Sequence, residues 1–191
     1  SSSCTKPKGM THITAGVKPD RVLVAHHGLH PCYGQALPAA VPGEGLRFLH
    51  VAGARDFLPR KGTPELIEAF AQTFGPSWTG PKARLTIRTP SSPTIHELVQ
   101  ATHQLHLFDV DGHSETLPPS TMREYLLSGW SAVVQPSRAE AFGLVPCEAR
   151  ACGLPVLLTN GSGHRGHLEP SDILIRTGPA APIKVNGIPN G

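Results

Sequence analysis

Residues 131–159 read SAVVQPSRAEAFGLVPCEARACGLPVLLT, and this stretch decides the fold. SAVVQ (131–135) and PVLLT (155–159) are short β-branched runs of strand type. Between them lie a polar turn, PSRAEAFG (136–143), and a helical pattern over 144–153. A strand, a turn, a crossover helix and a second strand form the unit that parallel pairing requires, because parallel neighbours cannot be joined by a hairpin. Gly143 permits a close backbone approach and Pro146 suits the first turn of a helix. The turn and helix also carry two carboxylates, Glu140 and Glu148, with seven residues between them.

Working outward, further strand candidates are RVLVA (21–25), RFLHVAG (47–53), RLTIR (84–88) and LHLFDV (105–110). Helical patterns at 63–75, 94–103 and 119–129 separate the later ones. In TPELIEAFAQTF, Leu66, Ile67, Phe70 and Phe74 recur at helical spacing on one face; Thr63 can cap the helix and Pro64 can take its first position. The alternation predicts an α/β fold, a Rossmann-like doubly wound parallel sheet. PCYGQALPAAVPGEG (31–45) is rich in turn formers and reads as a connector. Residues 1–45 are therefore expected to be a remnant of a preceding domain plus that connector, and 46–191 the Rossmann-like domain. The pattern weakens after Thr159, so the domain is expected to be cut at its C-terminal end, and the opening SSSCTKPKGM reads as a cut end too.

In doubly wound sheets ligands bind beyond the carboxyl ends of the strands where the strand order reverses. Counting from the connector, 47–53 is the first strand and 131–135 the fourth, so ARDFLPRKG (54–62) and PSRAEAFG should face one crevice. The first turn places Arg55, Arg60 and Lys61 ahead of a helix, a set suited to a diphosphate. In the second, amides at Gly143, Leu144 and Val145 would point toward an anion or sugar hydroxyls. Glu148 is expected in the first turn of its helix, where its two acceptors can hold a vicinal diol.

Composition excludes several classes. Apolar residues make up 39% and charged residues 16%, and no apolar run is long enough to span a membrane. The net charge of +3 is small, with its cations scattered, so a local anion fits better than a nucleic-acid track. Cys4, Cys32, Cys147 and Cys152 show no CxxC spacing and no secretory signal precedes them, which points to reduced thiols and a cytoplasmic setting. His26, His27, His30 and Cys32 could ligate zinc, but a strand end and loop lined by histidines accounts for them without a second ligand pair. Asp109 and Asp111 in FDVDGHS have Asp-x-Asp spacing; they are expected in a solvated turn held by Asx bonds, away from the reversal.

The segments HHGLH, FLHVAGARDFLPRKGTPELIEAF and VVQPSRAEAFGLVPCEARACGLPVLLT together resemble the donor-binding domain of the large retaining GT-B glycosyltransferase family, over residues 20–170. That family includes glycogen and sucrose synthases and many bacterial lipopolysaccharide and mannosyl transferases. The resemblance implies one half of a GT-B fold and a nucleoside diphosphate sugar as ligand. By position, Lys61 matches the family lysine that holds the diphosphate, and the partner arginine usually stands five residues before it. Here Arg55 stands six before, so either one residue is inserted or Arg60 has taken the role. Glu140 matches the glutamate near the transferred sugar and Glu148 the one that bonds the ribose. Phe142, Gly143 and Leu144 match the segment whose backbone meets sugar and phosphate. TNGSGHRGHL (159–168) is similar to the family's Gly-rich turn, where Thr159, Gly161 and Ser162 could border base or sugar.

The implied reaction moves a sugar to an acceptor hydroxyl with retention. Glu140, Lys61 and Arg60 are the expected catalytic set, with no metal and no other cofactor. Expected partners are the nucleotide-sugar donor and an N-terminal acceptor domain on a longer chain, without nucleic acid. A parent chain could touch a membrane peripherally, and this piece alone should bind without catalysing. The alternative from a different class is a catalytically inactive nucleotide-sugar-binding module. A sugar phosphorylase shares the architecture but lacks a marker here.

Overall fold

The computed structural model describes residues 16–23, 25, 27–35, 37, 44–53, 58–90, 93–112 and 116–178, and the backbone of 184–185 and 188–189. Six strands form one all-parallel sheet: β1 (Leu46–Val51), β2 (Ala83–Thr89), β3 (Phe108–Gly112), β4 (Ala132–Gln135), β5 (Val156–Thr159) and β6 (Ile173–Ile175). Their order is β3-β2-β1-β4-β5-β6, so it reverses between β1 and β4. The crossovers use the one-turn helix α1 (Leu58–Lys61) followed by α2 (Thr63–Phe74), then α3 (Pro93–Ala101), α4 (Pro119–Leu126) and α5 (Leu144–Ala151). Two short strands, β7 (Lys184–Val185) and β8 (Ile188–Pro189), pair antiparallel with each other.

The sheet is buried on both faces, as a doubly wound fold demands. Ile67, Phe70 and Ala71 of α2 and Ile95 and Val99 of α3 pack with Leu85, Ile87 and Phe108. Phe48, Phe70 and Phe74 stack there with centroids 4.5 to 5.6 Å apart. On the opposite face Leu49, Val133, Val156 and Leu158 meet Met122 and Leu126 of α4 and Ala149 of α5. The Pro31–Gly34 turn docks into this second core through Cys32 and Tyr33.

Several local expectations give way to tertiary partners. Among the described residues of RVLVA none is in a strand: Arg21 closes a 3-10 turn, Pro19–Arg21, and Leu23 is 93% exposed. Conversely, β6 forms where the periodic pattern fades, because β5 offers an edge to Ile173, Leu174 and Ile175. Thr63 does not cap α2 with its hydroxyl; Gly62 occupies the cap at φ 70°, and Thr63 is the first helical residue. Asp109 and Asp111 do not sit in a turn after the third strand but within β3, in register with Thr86 and Arg88 of β2. Arg84 donates to Asp109 at 3.0 Å, and Arg88 to Asp111 at 2.8 Å, so a neighbouring strand supplies the partners that Asx bonds were expected to provide.

Candidate functional site

At the reversal, the turns after β1 and β4 are stitched together. The backbone carbonyl of Arg60 accepts the Arg138 amide at 2.8 Å, and the Arg60 guanidinium donates to the Ala139 carbonyl at 2.7 Å. Lys61 Nζ reaches Glu140 Oε2 at 2.5 Å, and Arg60 approaches Oε1 of the same carboxylate at 3.5 Å. Gly62 makes this approach possible: a Cβ there would lie 2.4 Å from the Pro136 carbonyl oxygen, and its φ of 70° is unfavourable to any side chain. Arg138 additionally pairs with Glu65 of α2.

Burial by itself opposes ionisation of Glu140, but the bond and charge of Lys61, with Arg60 behind it, outweigh burial and hold its carboxyl below the usual range. The group is thus a carboxylate, an acceptor only. It borders a cavity of about 360 Å³ lined by Lys61, Phe142, Gly143, Leu144, Gln135 and His164, among others. Gly143 caps α5 at φ 86°, leaving the free amides of the helix start at the cavity wall.

The residues singled out from the sequence fall into three groups. Lys61, Glu140, Phe142, Gly143 and Leu144 meet at this cavity. Arg60 stands directly behind, holding the turn and the carboxylate. Glu148 lies on the same helix but is its fifth residue rather than in its first turn, so it lacks the N-terminal charge advantage expected for it. It is half-buried and does not line the cavity. Burial raises its carboxyl above the ordinary value, and the nearby Tyr33 hydroxyl only partly offsets this. Arg55 lies outside the described residues, as do Cys4 and His26.

Beneath the crevice, His50 of β1 is fully buried. Its Nδ1 donates to the Val134 carbonyl at 2.9 Å, which leaves Nε2 to accept from the Thr63 hydroxyl at 2.9 Å. Burial pushes it down to about 4, with Lys61 adding to the shift, so it is neutral near pH 7. It ties β1, β4 and the start of α2 into one floor.

The Gly-rich turn contributes differently from expectation. Thr159, Gly161 and Ser162 do not line the cavity. Ser162 Oγ accepts the Glu140 amide at 2.7 Å and donates to its carbonyl at 2.8 Å, and the Gly163 amide donates to the same carbonyl at 2.8 Å. This clamp brings in His164, which sequence reasoning did not single out. His167, also unforeseen, donates from Nε2 to the Phe142 carbonyl at 2.6 Å, while its Nδ1 accepts from Arg150 at 2.7 Å. Arg150 is anchored by Asp172, 2.8 Å away and 1% exposed. The only sequence signal is the i, i+3 spacing of His164 and His167, which a 3-10 turn, Ser162–Gly166, turns toward the Glu140 loop. His27, considered as a zinc ligand, instead lies with its ring 5.0 Å from that of Phe142, and the His30 ring accepts the Cys32 amide. Among the described residues no three of His, Cys, Asp and Glu gather as a metal site, and no helix is long and apolar enough to cross a membrane.

Residues 51–178 match the family model described as glycosyl transferases group 1. The chain is 34% identical over 114 residues to a D-inositol 3-phosphate glycosyltransferase of Frankia alni, covering 56% of this chain and 27% of that protein. A protein of the same description from Pseudarthrobacter chlorophenolicus is 44% identical over 59 residues, 29% of this chain and 14% of the other. HepE of Anabaena, solved in complex with UDP and glucose, superposes with a TM-score of 0.66 at 19% identity over 87% of this chain and 46% of that one. The lipopolysaccharide outer core galactosyltransferase WaaB superposes with a TM-score of 0.65 at 16% identity, over 85% of this chain and 43% of that one. At such identities the structural likeness shows the fold, the Rossmann-like half of GT-B. The chain spans about a quarter or less of the length of the curated relatives it matches. With the family pattern running from the end of β1 to beyond β6, over residues 51–178, this chain belongs to the glycosyl transferases group 1 family.

Proposed function

We propose that this domain binds a nucleoside diphosphate sugar in the β1/β4 crevice and that, within a longer chain carrying an acceptor-binding domain, it transfers the sugar to a hydroxyl with retention. One observation carries the reading: Lys61 and Arg60 reach across the reversal to Glu140 beside the amide start of α5. Cations and helix amides suit the diphosphate, and the carboxylate suits sugar hydroxyls.

In the reaction the bond between the anomeric carbon and the β-phosphate oxygen breaks, its electron pair going to that oxygen. The acceptor hydroxyl attacks from the same face and passes its proton to the departing phosphate, which gives retention without an enzyme nucleophile. Negative charge develops on the phosphate, where Lys61 and Arg60 stabilise the transition state more than the ground state. Glu140, already ion-paired, stabilises positive charge on the sugar rather than attacking it. These cations make a metal unnecessary in this scheme. A cytoplasmic setting fits the thiols of Cys32, Cys147 and Cys152, which form no disulfide among the described residues.

The test is thermal and calorimetric titration of the chain with UDP, GDP and ADP, with and without EDTA. The cognate nucleotide at about 100 times its Kd should stabilise the fold by roughly 2 to 3 kcal/mol, with EDTA making no difference. If none of the three binds, the reading fails. In the full-length protein, Lys61→Ala and Glu140→Gln should each depress transfer. A parent chain that binds the nucleotide sugar yet neither transfers nor hydrolyses it would be an inactive binding module.

A further inference from the structure

His164 is 1% exposed, lines the cavity, and takes no part in the scheme above. Its ring orientation follows from its neighbours. Thr159 Oγ1 donates its only hydrogen to the Ser137 carbonyl at 2.5 Å, so toward the His164 Nδ1, 3.5 Å away, that oxygen can only accept. Nδ1 therefore carries the proton. Burial, reinforced by the charge of neighbouring His167, pushes the ring down to about 4 despite the opposing pull of Glu140, so near neutral pH it holds one proton only. Nε2 is left as a bare lone pair. The Cδ2–Nε2 edge faces Gly143: a Cβ there would lie 2.6 and 2.7 Å from those two atoms and 3.3 Å from Glu140 Cγ. The glycine thus separates two acceptors, the Glu140 carboxylate and His164 Nε2, on one wall.

We infer that His164 is a specificity-determining residue whose unprotonated Nε2, beside Glu140, accepts a hydrogen bond from a hydroxyl of the donor's sugar, so that this wall selects a neutral hexose and refuses a uronic acid. The inference rests on the nucleotide-sugar reading of the crevice. A wall of two acceptors can be satisfied only by ligand donors; hydroxyls supply them, whereas an ionised carboxylate brings acceptors against acceptors. The amide start of α5 and Lys61 remain for the phosphates.

The test measures binding of UDP, GDP and ADP, and of the glucose and glucuronate conjugates of whichever nucleotide binds, to the chain and to two variants. His164→Phe keeps a flat ring without the acceptor, and His164→Gln restores an acceptor at the ring's far edge. The unaltered chain should prefer the glucose over the glucuronate conjugate at least tenfold. His164→Phe should weaken the glucose conjugate by roughly tenfold, leave the bare nucleotide within twofold and shrink the preference; His164→Gln should recover most of the loss. The inference is overturned if His164→Phe weakens nucleotide and conjugate alike, if it weakens neither, or if the unaltered chain takes glucuronate as readily as glucose. Should His164→Phe not fold, the preference of the unaltered chain and the behaviour of His164→Gln still decide. Failure of all three nucleotides to bind would instead remove the crevice reading itself.

Discussion

Two regions of this sheet are built from arginine or lysine facing a carboxylate, and they behave oppositely. On the flank, Arg88 of β2 and Asp111 of β3 stand in register on regular strands. Arg88 donates to Asp111 at 2.8 Å and lies over the Tyr125 ring, and the Tyr125 hydroxyl donates to the same carboxylate at 2.8 Å. At the reversal, Lys61 ends the one-turn helix α1 and Glu140 lies on the turn after β4, beside a cavity at the start of α5. The lesson is that a charge pair on strands closes a core, whereas a similar pair beyond the strand ends at a topological switch borders an open cavity.

The largest effect should come from breaking the flank. Arg88 is 9% exposed and Asp111 19% as side chains, so Arg88→Met takes the cation away from a half-buried carboxylate that keeps the Tyr125 hydroxyl. A loss of about 3 kcal/mol is expected in urea unfolding, because the charge that offsets the carboxylate's desolvation is gone. Nucleotide affinity should stay within twofold. A matching fall in affinity would show that the two regions are not independent.

Next comes the crevice. On the proposed function Lys61→Ala removes one charge-assisted bond to the diphosphate, so it should weaken nucleotide binding by about 2 kcal/mol, roughly 30-fold, in calorimetry. Its cost in stability should be smaller than that of Arg88→Met, since Glu140 keeps the Arg60 guanidinium as a charge partner at Oε1. The reverse ranking would make Lys61–Glu140 a structural pair and not a binding one.

Acidification sharpens the contrast further. His50 and His164 both titrate near 4 in the folded chain against 6.5 when unfolded. A depressed folded pKa means that the unfolded chain binds more protons, so the stabilisation is complete above about 6.5 and is lost as pH falls toward 4. Between pH 7 and 5 each histidine should contribute a loss of about 2 kcal/mol. Glu148, raised by burial, works in the opposite sense and gains as pH falls. In His164→Gln the histidine-driven loss should shrink by about half, read from urea midpoints across this pH range.

Much of this arrangement was legible in the sequence, for a physical reason. Alternating strand and helix patterns fix which turns stand at the reversal, and the polar residues of 58–62 and 136–143 had few other places to go. Segments that depend on a partner were misread. RVLVA has strand composition, yet its described residues pair with no strand, and ILI at 173–175 has an edge but too few residues to show a period. The flank pair was hidden although its signal existed: Arg84, Thr86 and Arg88 alternate in step with Asp109 and Asp111. Buried neutral histidines leave no such trace, because their role is set by groups distant in sequence, such as Val134 for His50 and Ser137, acting through Thr159, for His164.

The smallest expected effect tests the floor beneath the crevice. Thr63→Val keeps the shape of the first residue of α2 but removes the hydroxyl that donates to His50 Nε2. That nitrogen is then a lone acceptor in a fully buried site, at a cost of about 1 kcal/mol in the urea midpoint with an unchanged m-value. Because His50 also holds β4 through Val134, the β1–β4 spacing should survive and nucleotide affinity should stay within twofold. If affinity falls by tenfold or more while stability drops by only about 1 kcal/mol, then the crevice draws its geometry from this single hydrogen bond and not from the sheet register.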